Sequence, residues 1–256
     1  MSNRSGRDTG ARPWAGAARF GRAWAAFVGI AGDNALHRHH AVQAFAGQDL
    51  RVFDRDGAEA AGDGFVVPPD VWHRITTLQE GVFLYIDPGA PGGRAIANLL
   101  KAGMHALLPD EARSFRVIVA DALADGDAAD PIGRLMRLLG LGEASGDKID
   151  PRIESLLEQI AVADPPILDS GGLAASLGLS RSRLVHLFTD SVGIPLRSFL
   201  LWTKLRRAFE SIAAGSTLTE AAHSGGFADS AHFSRTCRAM FGINPRALTG
   251  SMVFRP

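Results

Sequence analysis

Hydrophobic residues recur at three- and four-residue intervals along the C-terminal part of the chain. In the stretch GGFADSAHFSRTCRAMFGINP, residues 225–245, this spacing predicts one helix over about residues 230–241. Asp229 or Ser230 can cap its first turn, and Gly242 can end it. The side chains predicted to face a core are Phe233, Cys237, Met240 and Phe241. The opposite face is small, polar and basic.

A second, shorter pattern precedes this helix and predicts a helix-turn-helix. The segment LTEAAHSGGF predicts a helix over about residues 219–224, which Gly225 and Gly226 close. The same pattern occurs earlier in the chain. Phe188 precedes Cys237 by 49 residues, and neighbouring apolar and glycine positions repeat at the same interval. Two copies imply two matching units.

Between the two copies, the segment PLRSFLLWTKLRRAFESIAAG predicts one amphipathic helix over residues 195–215. Pro195 suits its first turn and Gly215 its end. The residues that follow helical spacing are Leu196, Phe199, Leu200, Thr203, Leu205, Ala208, Phe209 and Ile212. At about 1.5 Å per residue this helix is roughly 30 Å long, close to the roughly 34 Å turn of B-DNA. One chain can therefore do what a helix-turn-helix dimer does.

Residues 151–250 resemble the tandem helix-turn-helix DNA-binding domain of the AraC-type (AraC/XylS) transcription regulators. The resemblance rests on GLSRSRLVHLF, GIPLRSFLLWTKLRRA and GGFADSAHFSRTCRAMFGINP, in the family's order and spacing. It implies two recognition helices, at about residues 181–189 and 230–241.

Helix geometry then selects the positions that face DNA. In the first recognition helix they are Ser182, Val185, His186 and Thr189, with Arg181 and Arg183 able to reach phosphates. In the second they are Ser230, Ala231, Ser234, Arg235 and Arg238. Arg235 is the candidate for a bidentate guanine contact, because its guanidinium matches the O6 and N7 acceptors. The alternative is that these arginines only form a solvated face.

Charge supports a nucleic-acid partner once the chain is divided. The whole chain is neutral, with 27 basic and 27 acidic residues. From Pro165 onward it has 10 Lys and Arg against 5 Asp and Glu, a net charge of +5, so the part before Pro165 carries −5. This asymmetry is typical of a basic nucleic-acid module joined to another domain.

The N-terminal part has a β pattern. Short apolar runs alternate with Gly, Pro and Asp turns over about residues 19–87, which predicts a small barrel or sandwich. The segments HRHHAVQ and GDGFVVPPDVWH resemble the two motifs of the cupin barrel that AraC-type regulators often use as a sensor domain. Strand alternation places His40 away from its neighbouring histidines, and His73 matches the second motif. The candidate effector pocket consists of His37, His39, Gln43, Trp72 and His73.

A metal site is the alternative interpretation of these side chains. His37, His39, Gln43 and His73 could hold a divalent ion such as zinc, nickel or iron. Gln43 stands where a metallocupin has a carboxylate, and the lost negative charge weakens divalent binding. We therefore expect no metal and no cofactor, and a structural or pocket-lining role for the histidines. The alternative function is a metallocupin dioxygenase or isomerase with an appended helix-turn-helix domain.

Helical segments are predicted between the two modules, over residues 93–141. Their apolar stripe consists of Ile132, Leu135, Met136, Leu138 and Leu139. In the family such helices support dimerisation, but packing against the barrel explains a stripe equally well, so both interpretations stay open.

The predicted fold is α+β with two domains, a cupin-like β-barrel with helical segments and an all-α domain of two helix-turn-helix units joined by a long helix. The predicted parts are a disordered N-terminus (1–13), the sensor barrel (14–92), the helical segment (93–141), a linker (142–150), the DNA-binding domain (151–250) and a tail (251–256).

These patterns predict a sequence-specific DNA-binding transcription regulator, by family an activator, and not an enzyme. The polar N-terminal segment favours neither a signal peptide nor a membrane span, and the single Cys237 suits the cytoplasm. The expected partners are double-stranded DNA, RNA polymerase, an unknown small-molecule effector and, if the helical segment dimerises, a second copy of the chain. No membrane partner is expected.

Overall fold

The N-terminal half of the chain forms a curled, mostly antiparallel sheet. The computed structural model describes residues 14–31, 34–76, 80–101, 103–142, 149–163, 170–248 and 252–255. Within them the strands are β1 (Ala15–Phe20), β2 (Trp24–Ile30), β3 (Val42–Phe53), β4 (Glu59–Val67), β5 (Arg74–Thr76), β6 (Glu80–Ile86), β7 (His105–Ala106) and β8 (Met252–Arg255). Their order is β7-β4-β3-β6-β2-β1-β8, and β5 pairs with β3. The α+β class with a sheet-rich N-terminal part is confirmed.

The long strand β3 pairs with three other strands of the sheet. Its first half pairs with β4 and β6, and its second half pairs with β4 and β5. The sequence predicted short runs separated by turns over residues 19–87. Here one long strand continues instead through an irregularity between Ala46 and Leu50, where Asp49 has a φ of 51°. Such a bulge bends the strand, which lets β3 serve both parts of the curled sheet.

Three helices follow the sheet: α1 (Pro91–Leu100), α2 (Pro109–Asp125) and α3 (Pro131–Leu138). They form one hydrophobic core with one face of the sheet, in which Phe115 and Val119 of α2 meet Leu84 of β6. Leu135 and Met136 of the predicted stripe are buried in this core. Packing against the sheet therefore accounts for the stripe.

The C-terminal half is helical and contains the predicted repeat. Its helices are α4 (Pro151–Val162), α5 (Ser170–Ser176), α6 (Arg181–Val192), α7 (Leu196–Ala213), α8 (Leu218–Ser224) and α9 (Ser230–Phe241). The helix-turn-helix units are α5 with α6 and α8 with α9. Gly193 and Gly242 end α6 and α9 with φ values of 84° and 70°, a left-handed conformation that favours glycine. The predicted bounds of α9 are confirmed.

Helix α7 joins two separate cores. Leu196 and Leu200 pack with the first helix-turn-helix unit. Leu205 and Ile212 pack in a core that the second unit shares with the sheet domain. The described residues of the second unit thus share their apolar core with the sheet. No single described helix is long and apolar enough to cross a membrane. Helices α6 and α7 are long and apolar enough only when taken together, and this pair is bent by 69°.

The last strand returns to the N-terminal domain. Residues Met252–Arg255 were assigned to a tail from the sequence, but they form β8 and pair in parallel with β1. Phe254 stacks on Phe20, with ring centroids 6.4 Å apart. The short 3-10 turn Pro245–Leu248 precedes this strand. The helical domain is therefore held to the sheet after α9 as well as before α4.

Candidate nucleic-acid interface and effector site

The first predicted recognition helix is α6. Ser180 caps it by accepting a hydrogen bond from the Arg183 backbone N–H at 3.2 Å. Leu184 and Phe188 are fully buried and fix its inner face. The predicted DNA-facing positions are exposed or half-buried: Arg181, Ser182, Arg183, Val185, His186 and Thr189.

The second predicted recognition helix, α9, is built in the same way. The Asp229 carboxylate accepts from the His232 backbone N–H at 2.6 Å, which orders the first turn. Phe233 and Cys237 are fully buried. The positions predicted to face DNA lie on the outside: Ala231, Arg235 and Arg238 are exposed, and Ser230 and Ser234 are half-buried. The Ser234 hydroxyl donates to the Ser230 carbonyl at 2.7 Å.

The basic side chains of these two helices differ in their partners from Arg206 of α7. Within the described residues, the guanidinium groups of Arg181, Arg183, Arg235 and Arg238 form no ion pair. Arg206 of α7, by contrast, donates to the Glu210 carboxylate at 2.8 Å and to the Gly21 carbonyl at 2.7 Å. The guanidinium groups of the recognition helices can therefore bind phosphates or bases without first breaking an ion pair.

The sheet domain brings three predicted histidines together in a buried cluster. We call His37, His39, His73 and Gln43 the histidine cluster. His37 and His73 form an isolated antiparallel bridge, and His39, just before β3, lies within hydrogen-bond distance of Gln43 in β3. One ring nitrogen of each histidine lies within 4.8 Å of the others. All four side chains are at least 98% buried, as their exposures of 0–2% show.

Backbone carbonyls fix the tautomer of each ring. The Nδ1 atoms of His37, His39 and His73 lie 2.8, 3.0 and 2.9 Å from the carbonyl oxygens of Ala35, Ala41 and Val71. A carbonyl only accepts, so Nδ1 carries the proton in each neutral ring. The Nε2 atoms consequently present lone pairs to the centre of the cluster.

Gln43 satisfies two of these lone pairs. One of its terminal amide atoms lies 3.0 Å from His39 Nε2 and 2.9 Å from His73 Nε2, and the other lies 2.8 Å from the Tyr85 hydroxyl. Because both histidine nitrogens are acceptors, the atom between them is assigned as the NH2 group, which donates one N–H to each. The amide oxygen then accepts from the Tyr85 O–H.

Burial keeps the cluster uncharged. It lowers the pKa of His37 to about 4, with a smaller contribution from His39. Burial also lowers the pKa of His39, and it lowers that of His73 well below 6.5. Burial raises the pKa of the Tyr85 hydroxyl, which stays protonated and can donate. Neutral imidazoles with Nε2 lone pairs have the donor chemistry of a divalent metal site, but the Gln43 amide already bonds two of them.

Two neighbouring predictions fall outside the cluster. His40 points away as expected, and its Nδ1 lies 2.7 Å from the Asp70 carboxylate. Asp70 has a φ of 63°, a conformation that favours glycine. Trp72, placed in the candidate pocket from sequence, is half-buried beneath the Arg38 guanidinium, which lies 5.1 Å from the ring centroid. The structure thus unites the histidines with Gln43 but not with Trp72.

The histidine cluster contacts the second recognition helix. Phe241, the last residue of α9, lies against His39 and Tyr85, with centroid separations of 6.1 and 5.7 Å. Its ring also meets Trp202 and Phe209 of α7 at 6.2 and 5.6 Å. The backbone N–H of Ala35 donates to the Gly242 carbonyl at 3.2 Å. The sheet domain therefore touches α9 directly.

An apolar cavity of about 110 Å³ lies beside this contact. Its walls come from β1, β2 and β6, from α7, from the end of α9 and from β8. Sequence reasoning missed it, because its residues lie far apart in the chain. The aromatic lining residues are Trp14, Phe20, Trp24, Phe27, Tyr85, Trp202, Phe209, Phe241 and Phe254.

Comparison with known proteins agrees with this architecture. A family model described as a helix-turn-helix domain matches residues 173–250. Curated protein sequences gave no match. ToxT from Vibrio cholerae O395 is similar in structure, with 12% identity, a TM-score of 0.57 and coverage of 90% of this chain and 99% of that one.

Two further solved structures are similar. ToxT from Vibrio cholerae strain SCE256 bound to an unsaturated fatty acid has 11% identity, a TM-score of 0.56 and coverage of 89% and 95%. The AraC-like transcriptional activator CuxR has 12% identity, a TM-score of 0.33 and coverage of 77% and 76%. At these identities, the likeness to ToxT shows a shared two-domain fold.

Proposed function

We propose that this DNA-binding transcription regulator, whose AraC-type helix-turn-helix domain covers residues 173–250, is an activator controlled by a small molecule. It would act in the cytoplasm, where it meets chromosomal DNA. The N-terminal sheet domain is the proposed sensor.

The pair of exposed recognition helices carries this proposal. Both α6 and α9 present small polar and basic side chains, and both pack on the same helix α7. With 18 residues, α7 is about 27 Å long, which suits two helices entering successive major-groove faces about 34 Å apart. The arginines supply phosphate contacts and guanine recognition.

Contact between the sensor and α9 supports control by an effector. Phe241 lies at the end of a recognition helix and also touches His39 and Tyr85. A ligand that binds one arrangement of this contact more tightly than another shifts the population of DNA-competent molecules. ToxT, with the same fold, has been solved with an unsaturated fatty acid bound, which supports small-molecule control here.

The remaining partners follow from this function. As an activator, the protein would contact RNA polymerase bound beside its site. One copy of the chain supplies two recognition helices, so one copy can occupy one site, and a homodimer would occupy paired sites.

A metal-dependent enzyme is the second candidate, because three histidine nitrogens lie within 4.8 Å of one another. The Gln43 amide disfavours it by bonding two of these nitrogens and adding no negative charge.

Selection of binding sites from random duplex DNA by the full chain tests the proposed function. We expect enriched sites with two conserved segments about 10 base pairs apart, centre to centre. Arg235→Ala and Arg183→Ala should each weaken selection at a different segment. Recovery of random sequence, with affinity that depends only on salt, would reject specific DNA recognition.

A further inference from the structure

The internal repeat extends beyond the recognition helices. After α6 the chain reads Gly-Ile-Pro-Leu-Arg and ends this segment at Arg197, and after α9 it reads Gly-Ile-Asn-Pro-Arg and ends at Arg246. The two arginines are 49 residues apart, which is also the interval between Phe188 and Cys237. Neither arginine belongs to a recognition helix, so the predicted DNA-facing positions do not include them.

The two segments also fold alike. Their first residues, Gly193 and Gly242, are left-handed, and their N–H groups donate to the carbonyls of Thr189 and Arg238 at 2.8 and 2.9 Å. In both segments the second and fourth residues are buried, whereas the third residue and the arginine are exposed. Each arginine lies in the first turn of the next helical element, α7 or the 3-10 turn Pro245–Leu248.

Packing does not account for two matching arginines. Ile194 packs in the core of the first unit, and Ile243 packs in the core that the second unit shares with the sheet. The protein surroundings of the two segments therefore differ, whereas DNA is a partner that both units have in common. An exposed arginine that recurs in two different surroundings points to this common partner.

Other basic side chains of α7 are occupied within the protein. Arg207 donates to the Ile160 carbonyl at 2.8 Å, and the Lys204 ammonium lies 5.6 Å from the centroid of the Phe227 ring. Arg197 lies on the same helix, but it is exposed and forms no ion pair with another described residue. Its guanidinium can bind an external anion.

The position of both arginines favours phosphate over bases. An α-helix with its side chains is about 10–12 Å wide and the major groove is about 12 Å wide, so a recognition helix fills the groove. The chain that follows the helix then lies at the edge of the groove, beside the phosphates. Each arginine comes four residues after the glycine that ends the helix, and a guanidinium binds phosphate oxygens through paired N–H donors.

The second segment, unlike the first, touches the sheet domain. The Ala35 N–H donates to the Gly242 carbonyl at 3.2 Å, and a Cβ added to Gly242 would lie 2.5 Å from the Ala35 carbonyl oxygen. A Cβ added to Gly193 would meet no described atom within 4 Å beyond its own neighbours in the chain. The sheet therefore bears on the position of the second segment and not on that of the first.

We propose that Arg197 and Arg246 are equivalent phosphate contacts of the two helix-turn-helix units, and that the sheet domain controls the position of the Arg246 contact only. The inference rests on the proposed function for its DNA partner. A change in the sensor that moves Ala35 would then alter the affinity of the second unit for the DNA backbone and leave the phosphate contact of the first unit unchanged.

Salt titrations of the full chain on random duplex DNA test the two contacts. Arg197→Ala and Arg246→Ala should each lower the dependence of the logarithm of the association constant on the logarithm of salt concentration by about one, and weaken binding about tenfold at about 0.1 M salt. The loss should be the same on a selected site, because a phosphate carries no sequence information. An unchanged salt dependence in either variant, or a loss confined to the selected site, would overturn the proposal.

Two kinds of variant control this measurement. Arg197→Lys and Arg246→Lys keep the positive charge and should keep the wild-type salt dependence. Arg51→Ala removes one exposed charge from the sheet and should also bind as the wild type does. A decrease in Arg51→Ala equal to that in the two alanine variants would assign the effect to net charge and reject the contacts.

A matched pair of glycine substitutions tests control by the sheet. Gly193→Ala and Gly242→Ala both place alanine at a positive φ and have similar backbone strain, but only the second pushes against Ala35. We expect Gly242→Ala to lower the salt dependence by about one, with no further decrease when Arg246→Ala is added. Gly193→Ala should keep the wild-type value, and adding Arg197→Ala should still lower it by about one.

A wild-type salt dependence in Gly242→Ala would overturn control by the sheet. If Gly242→Ala does not fold, Ala35→Pro removes the N–H that bonds to the Gly242 carbonyl and should give the same decrease. The slopes are measured on random DNA, so they do not depend on site selection. Failure to select a site would overturn the proposed function, whereas unchanged slopes beside successful selection overturn only this inference.

Discussion

The ring of Phe241 stacks on the imidazole of His39, with centroids 6.1 Å apart and planes inclined by 29°. Phe241 ends the second recognition helix, and His39 belongs to the buried histidine cluster. A residue of the DNA-binding unit thus packs on the polar centre of the sensor. DNA binding and the state of the sensor are expected to be linked energetically through this contact.

Arg235→Ala should weaken binding to a specific site by about 1 to 3 kcal/mol and relax the preference at one base pair. Arg235 is exposed on α9, where its guanidinium can reach a guanine edge. Fluorescence anisotropy with the selected site and its single-base variants measures both effects. Arg51→Ala, on the exposed surface of the sheet, is the control and should bind as the wild type does. Equal losses on specific and random DNA would remove Arg235 from base recognition.

Phe209→Ala should lower the free energy of unfolding by about 3 kcal/mol and reduce DNA affinity. Phe209 packs edge-on against Phe233 and Phe241, with ring centroids 5.8 and 5.6 Å apart. Because Phe209 is only half-buried, we expect a loss of stability at the lower end of the range for Phe-to-Ala substitutions. Urea unfolding of the full chain measures it. The exposed Leu99→Ala should change stability by no more than about 0.5 kcal/mol. A Phe209→Ala protein as stable as this control would contradict the packing.

Stability should fall as the pH is lowered from about 6.5 to about 4. Burial lowers the pKa of His37 from 6.5 to about 4, so the unfolded chain binds more protons than the folded one in this window. The contribution is fully present above about 6.5 and is lost towards about 4, with up to about 3 kcal/mol from His37 alone.

Urea unfolding of the wild type at several pH values checks this dependence. His37→Gln should make it shallower without removing it, because burial also lowers the pKa values of His39 and His73. The buried, non-titrating Leu50→Ala should instead lower stability by the same amount at each pH. An unchanged slope in His37→Gln would assign the dependence to other groups.

The purified protein should contain much less than one equivalent of divalent metal. The Gln43 amide forms hydrogen bonds with the Nε2 atoms of His39 and His73 and contributes no charge. These two rings therefore have partners for Nε2 without an ion. Elemental analysis of the wild type and of His73→Ala measures this. Stoichiometric metal that His73→Ala removes would make the domain a metal-dependent sensor, and substrate turnover in addition would favour the enzyme.

Local sequence signals were sufficient for the helical domain. Caps such as Asp229 and Gly242, together with three- and four-residue spacing, specified α9 to its observed ends. Alternation predicted that His37, His39 and Gln43 share one strand face; the three side chains do come together and His40 points away, but His37 and His39 precede β3 and only Gln43 lies in it. These features depend on neighbours in the chain, which a sequence displays directly.

Long-range features could not be obtained in this way. The cavity needs Trp14 beside Trp202, and no periodicity reports a contact across that separation. Strand β8 has only four residues. Its pairing with β1 depends on the course of the chain after α9 ends. The role of Gln43 required the orientation of three rings, which the carbonyl oxygens of Ala35, Ala41 and Val71 determine.

The return of β8 to the sheet brings the chain back to the N-terminal domain after the helices. Because β1 and β8 pair, the helical domain is inserted, in topological terms, between strands of one sheet. The hydrogen-bonded pairing of β8 with β1 therefore joins the helices to the sensor in addition to the chain at residues 142–150 and the shared apolar core. Dissociation of β8 would remove one of these three restraints on their relative orientation, without breaking any hydrogen bond within α6 or α9.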